Sequence, residues 1–194
     1  PERKALLPAQ IAETMWVLGG RDDIGWLSHY LPRVAEFSDD GGTWRGAYGP
    51  RLRNWQPGGF DQLRFVVDSI NNDPNTRRAV ISIYAPDLDG PAVEQGTVDF
   101  PCNNWLHFLG RNGMLDLHVA TRSNDLIWGW SGINQFEWAT LLEVVCSLTG
   151  LAIGRIHYAV SSLHVYERHW ERARVIARAS MVLPSESSPA MGCF

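Results

Sequence analysis

The chain has 194 residues, a net charge of −4, 45% hydrophobic and 20% charged residues. That is globular composition, long enough for one domain of ~100–200 residues, and it excludes a disordered chain, a coiled coil and a collagen-like repeat. No apolar run approaches the ~20 residues of a membrane span, and the acidic balance argues against bulk nucleic-acid binding. Residues 6–18 have the apolar spacing of an amphipathic helix, stopped by Gly19-Gly20. Residues 24–30 read as a short second helix, and 39–55, rich in Gly, Arg and aromatics, as loop with irregular strand. Residues 60–71 place Leu63, Val66, Val67 and Ile70 at helical spacing; 79–84 is a strand, and 87–95 a loop. Residues 104–109 and 114–120 alternate around Gly110-Arg111-Asn112-Gly113, a hairpin signal. Residues 133–148 form the longest helical pattern, apolar enough to be buried; a strand over 155–165, a helix over 168–179 and a tail over 185–194 follow. There is no repeat, linker or composition break, so the expectation is one α+β domain over 1–194.

Two biases narrow the chemistry. Lys4 is the only lysine, and every other basic residue is arginine, the planar bidentate binder of phosphate. Genome composition produces the same bias. The nine tryptophans suit a cleft for flat ligands as well as a core. The three cysteines, Cys102, Cys146 and Cys193, give no disulfide framework and point to a reducing, cytoplasmic setting. Residues 1–4 lead straight into the first helix, so no signal peptide is expected. Cys146 lies in an apolar run; Cys102, between Pro101 and Asn103-Asn104 at a strand start, is the one placed like a nucleophile.

Arg122-Ser123-Asn124-Asp125 follows a strand and precedes a Gly/Trp turn, where Arg and Ser together can hold a phosphate. Arg77-Arg78, just before a strand, is a second candidate anion site; taken singly, each reads first as a solvated polar or basic surface segment. His157, His164 and His169 do not have converging metal spacing. Trp105 stands where a zinc deaminase needs its second Cys, so no metal is expected. His164 and Tyr166 alternate on one strand face and can contact one ligand together. Glu13, set among apolar neighbours, is either solvated or buried and functional.

In order, Arg77-Arg78, Pro101-Cys102, Arg122-Ser123-Asn124-Asp125, Gly129, Asn134 and His164-Val165-Tyr166 resemble the thymidylate synthase family and its pyrimidine nucleotide hydroxymethylase relatives. Upstream, Glu13-Thr14-Met15-Trp16 with its Gly19-Gly20 stop, and Tyr48-Gly49-Pro50-Arg51, look like that family's early helix and tyrosine-glycine loop. The resemblance covers residues 6–170. It implies a mixed sheet covered by helices, a sheet-mediated homodimer, a pyrimidine nucleoside monophosphate as substrate and 5,10-methylenetetrahydrofolate as co-substrate. Cys102 would be the thiolate that adds to C6, its pKa lowered by neighbouring arginine. Arg122 and Ser123 would hold the 5′-phosphate, with Arg77 and Arg78 reaching it from the other subunit. His164 and Tyr166 would contact the sugar, Asn134 the base edge, and Asn103 the surroundings of C4. Glu13 would move protons through water, Tyr48 would assist proton removal at C5, and Asp125, Val34 and Phe37 would border the folate.

Departures from the family pattern point to the reaction. Methylating members have a His after the Cys, where Asn103 stands, and a Gln where His107 stands. They have Gly-Asp where Ser161-Ser162 stands, and their turn corresponding to residues 129–134 is one residue shorter and carries a Pro. Over residues 33–49 both tryptophans of the family's two-tryptophan loop are missing, replaced by Val34 and Phe37. An indole there shields the one-carbon intermediate from water; a smaller residue lets water attack. The expectation is therefore hydroxymethylation of CMP or dCMP (or dUMP). Thymidylate synthase and a catalytically degenerate nucleotide-binding homologue are the alternatives.

Overall fold

The computed structural model describes residues 6–178. Helix α1 (Leu7–Leu18) starts with Pro8 in its first turn and ends at Gly19. Its buried residues Ala9, Ala12, Trp16 and Val17 face the interior. A single turn, α2 (Ile24–Leu27), replaces the longer helix expected over 24–30; Ser28 closes it and a turn follows. Helix α4 (Gln62–Asn72) matches its apolar spacing, with Asp61 capping Arg64 N–H.

Two segments expected as loops contain helices. Within residues 39–55, α3 (Tyr48–Arg53) forms despite its Gly and Pro. Across the segment expected as a loop over 87–95, α5 (Pro86–Glu94) forms with proline at its start and a second proline, Pro91, inside. The cause is tertiary. Asp89 of α5, fully buried, accepts from Arg51 at 2.7 Å and from Arg45 at 2.8 Å. It also accepts from the N–H of Ala85 at 2.9 Å. One carboxylate thus holds both helices, whatever their intrinsic propensities.

The sheet runs in the order β1 (Val80–Ser82), β2 (Asn103–Arg111), β3 (Met114–Thr121), β5 (Ala152–Val160). The first two pairings are antiparallel and β3–β5 is parallel, the latter joined through α6 (Asn134–Thr149). This is the mixed, helix-covered sheet the sequence implied. The strand expected over 155–165 starts earlier and breaks at Ser161-Ser162. It resumes as β6 (Leu163–His164), which pairs with β4 (Asn124–Asp125). Helix α7 (Trp170–Arg178) closes the described chain; the end of that expected helix, the tail over 185–194, Cys193 and Lys4 lie outside the described residues.

Leu106 and Phe108 of β2, with Leu115, Leu117 and Val119 of β3, face the core against Trp16, Val66, Ile70, Trp138, Leu141 and Val145. The opposite face is open. Val80, Trp105 and Met114 are exposed there, and His107, His118 and His157 lie in register across three strands. The last two rings stack at 4.5 Å. At the outer edge, the Gln62 amide donates to the Ser82 carbonyl at 2.8 Å and accepts its N–H at 2.9 Å. Among the described residues no helix is long and apolar enough to cross a membrane.

Candidate active site

Strand β2 begins with a bulge between Asn103 and Trp105. Cys102 sits just before it, with a free thiol, opposite the end of β3. Arg122 N–H donates to the Cys102 carbonyl at 2.9 Å. The Arg122 guanidinium donates to the carbonyls of Pro101 (2.9 Å) and Phe100 (3.0 Å) and lies over the Phe100 ring. It comes within 3.8 Å of the Cys102 sulfur. Burial pushes the Cys102 thiol up and Arg122 pulls it down; burial wins, so the expectation of a lowered thiol is not met in the free protein.

The interior around Cys102 holds polar atoms without partners, and so resembles a site built for a ligand. Asn103 is 1% exposed. Its Oδ1 accepts from the Thr121 hydroxyl at 3.0 Å, while its Nδ2 has no partner. Both side-chain polar atoms of Asn124, Oε1 of Glu137 and the hydroxyl of Tyr158 are also buried and unpartnered. Tyr48 on α3 interacts with Asn103, packs on Trp138 with ring centroids 5.6 Å apart, and is held firmly neutral, chiefly by burial.

After β4 the chain makes a π-helical turn, Leu126–Ile133, started by Asp125 accepting from Ile127 N–H. The turn brings Gly129 against the side-chain oxygens of Asn124 and Asn134, where a Cβ would collide with both. A glycine is required by that approach. Asn134 opens α6, and Glu137 follows it one turn later. Glu13 on α1 faces the same interior, and burial pushes its carboxyl up to about 7. His164 pairs across the short sheet with Asp125, and its ring meets Tyr166 edge-on at 4.9 Å.

The structure therefore brings Glu13, Tyr48, Cys102, Asn103 and Arg122 together with Asn134, next to the strand pair that carries Asp125 and His164, with Ser123 just before it. It does not bring Arg77 and Arg78 there. Both are exposed at the far end of β1, beside the His107 region of β2, five residues or ~17 Å of strand from Cys102. Phe37 is exposed at a 3₁₀ turn, whereas Val34 of that turn is enclosed in the core. The Trp44 indole donates to the Val34 carbonyl at 3.2 Å and packs edge-on against Trp16. Asn124, Glu137 and Tyr158 were not singled out as site residues. The signal for Glu137 was an acid three residues after Asn134 in a mostly apolar helix.

A cavity of about 410 Å³ opens elsewhere, between residues 39–47 and α3, bordered by Asp22, Trp44, Asn54 and Trp55. Its walls carry Asp22, Asp39, Asp40 and Thr43 but no cysteine. Among the described residues no three His, Cys, Asp or Glu side chains converge as metal ligands.

The chain belongs to the thymidylate synthase family, which it matches over residues 2–187. It is similar to three proteins named deoxyuridylate hydroxymethyltransferase. That of Bacillus phage SP01 is 43% identical over 81% of this chain and 43% of its own length. That of Delftia phage PhiW-14 is 34% identical over 96% and 54%. That of Pseudomonas phage M6 is 36% identical over 86% and 46%. The chain thus spans about half the length of these relatives.

Proposed function

We propose that this protein transfers a hydroxymethyl group from 5,10-methylenetetrahydrofolate and water to C5 of a pyrimidine nucleoside monophosphate. The observation that carries the reading is the unpartnered set of buried amides, carboxyl and phenol around Cys102 and Arg122. A base has a flat edge of donors and acceptors to satisfy them. The relatives' names favour deoxyuridylate over the cytosine nucleotides expected from Asn103. Asn134 can meet either edge, because its amide has both a donor and an acceptor end.

Cys102 adds through sulfur to C6, which makes C5 nucleophilic toward the one-carbon unit. Arg122 favours the thiolate, and a phosphate bound beside Ser123 keeps its charge compensated. Glu13, close to half-ionised at neutrality, exchanges protons with water at the base. Tyr48, kept neutral, is a donor rather than an anion at rest. The C5 proton and one proton of water are the two that end on the folate nitrogens. The C6–S bond then breaks and returns Cys102 as thiolate. Exposed Phe37 offers apolar surface to the pterin, which Asp125 and the turn carrying Val34 border. Activity draws Arg77 and Arg78 from a second subunit.

The test is one assay of purified protein with CMP, dCMP, UMP or dUMP and methylenetetrahydrofolate, with products identified by mass. We expect a 5-hydroxymethyl nucleotide and tetrahydrofolate, with dUMP the best substrate. Dihydrofolate formed in step with a 5-methyl nucleotide would replace this reading by thymidylate synthesis. Nucleotide binding with no product from any of the four would leave a non-catalytic binder.

A further inference from the structure

Helix α6 turns an acidic residue inward. Glu137 is 2% exposed, its Oε1 has no hydrogen-bond partner, and no cation pairs with it among the described residues. Helices α1 and α6 pack against each other, which brings Glu13 within electrostatic reach of Glu137; Tyr48 of α3 and Tyr158 of β5 also feel its charge, and Asn134 is its hydrogen-bonding neighbour on its own helix. Every titratable one of these is an acid. Each negative charge in this enclosure raises the cost of the next, so the two carboxyls cannot both ionise near neutrality. The arginine of the site, Arg122, is committed to Cys102 and the carbonyls before it.

The two acids differ in access. Glu137 is sealed against Trp138 and the helix, whereas Glu13 keeps some contact with solvent. We propose that Glu13 and Glu137 form one proton-sharing couple, in which Glu137 keeps its proton as a carboxylic acid and Glu13 exchanges its proton with the reaction. The directions agree: burial and then the charge of Glu13 push Glu137 far up, while Glu13 sits at about 7. As with other carboxyl couples, the two titration steps belong to the pair.

The role in turnover rests on the hydroxymethyl-transfer reading. As the water oxygen bonds to the exocyclic methylene carbon, one water proton passes to the Glu13 carboxylate. The methylene electron pair moves into the ring and re-forms C5=C6 as Cys102 departs. Glu137 does not touch the substrate. It is a positioning residue that holds Glu13 at the charge this step requires.

The couple is read without substrate, by infrared difference spectra of the protonated carboxyl C=O band during a pH titration of the purified protein. Wild type should lose one carboxyl band near neutrality and keep a second at about pH 8. Glu137→Gln should remove the band that persists, and Glu13→Gln should remove the step near neutrality and leave it. In turnover, Glu137→Gln should lower kcat by about tenfold or more at unchanged nucleotide affinity and move the acid limb of the kcat profile. Glu137→Asp should recover that limb in part. Should Glu137→Gln fail to fold, Glu13→Gln still decides, because the persistent band must survive in it. No persistent band in wild type, or spectra and pH profile unchanged in Glu137→Gln, overturns the couple and leaves the reaction assignment standing. A 5-methyl product with the two-step titration intact overturns the reaction assignment and leaves the couple.

Discussion

At Cys102, burial and the Arg122 charge oppose each other, and in the free protein burial prevails. A bound phosphate or base that excludes water alters both, so thiolate formation is tied to substrate arrival. We expect Cys102→Ser to abolish turnover and to lose the mass shift that a 5-fluoropyrimidine nucleotide with folate leaves on wild type, while equilibrium dialysis still shows nucleotide binding. Cys146, buried in α6 with its thiol pushed up to about 11, should react with neither. Glu13 gives a stability signature. Its folded pKa lies above the ordinary 4.5, so the stabilising contribution is complete below 4.5 and is lost as pH rises to about 7. Glu13→Gln should therefore raise the urea midpoint at about pH 8 by an amount equivalent to about 3 kcal/mol, and change it little at about pH 4, while eliminating activity. Cys102 was legible because a thiol at a polar strand start stands out in one dimension, whereas the pattern around Glu13 left it either solvated or buried, and the family resemblance singled it out. Glu137 was not legible, because α6 carries two acids, Glu137 and Glu143, and either reads as a solvated position until the fold shows Glu137 to be interior.

At the scale of elements, Asp89 is the junction that assembles α3, α5 and the loop carrying Arg45. Asp89→Ala would strand two arginines, one of them 7% exposed, without a counter-charge. The expected loss is about 3–5 kcal/mol, read as a shift of the denaturant midpoint, with Tyr48 displaced and activity falling with it. This junction also explains what the sequence concealed. The long helices α1, α4 and α6 and the hairpin β2–β3 carry their own periodicity and turn signals, and they lie where expected. Helices α3 and α5 contain Pro and Gly and hold their form through a carboxylate whose partners are 38 and 44 residues away. No local pattern encodes that. Likewise the break at Ser161-Ser162 arises where the chain leaves β3's edge to pair with β4, a choice made by tertiary pairing.

For the whole molecule, the sheet has one face sealed by helices and one face bearing Val80, Trp105, Met114 and the histidine row. The expected homodimer would bury that face, and Arg77 and Arg78 are exposed just before β1, away from their own Cys102. Mixing Arg78→Ala with Cys102→Ser chains should restore activity, up to about a quarter of wild type if exchange is random and one hybrid site is intact. No recovery under verified subunit exchange would place each site within one chain. The edges of the sheet are as unequal as its faces. On β1 the outward N–H groups of Val80 and Ser82 are already taken, by the Arg78 carbonyl and by the Gln62 side chain, which stands in for a neighbouring strand. On β5 no strand occupies the outer side among the described residues. The sheet consequently has a direction of growth: a strand joining it, from this chain or another, finds its hydrogen-bonding row along Ala152–Val160, and Gln62 acts as the terminator that keeps extension from starting at the other end.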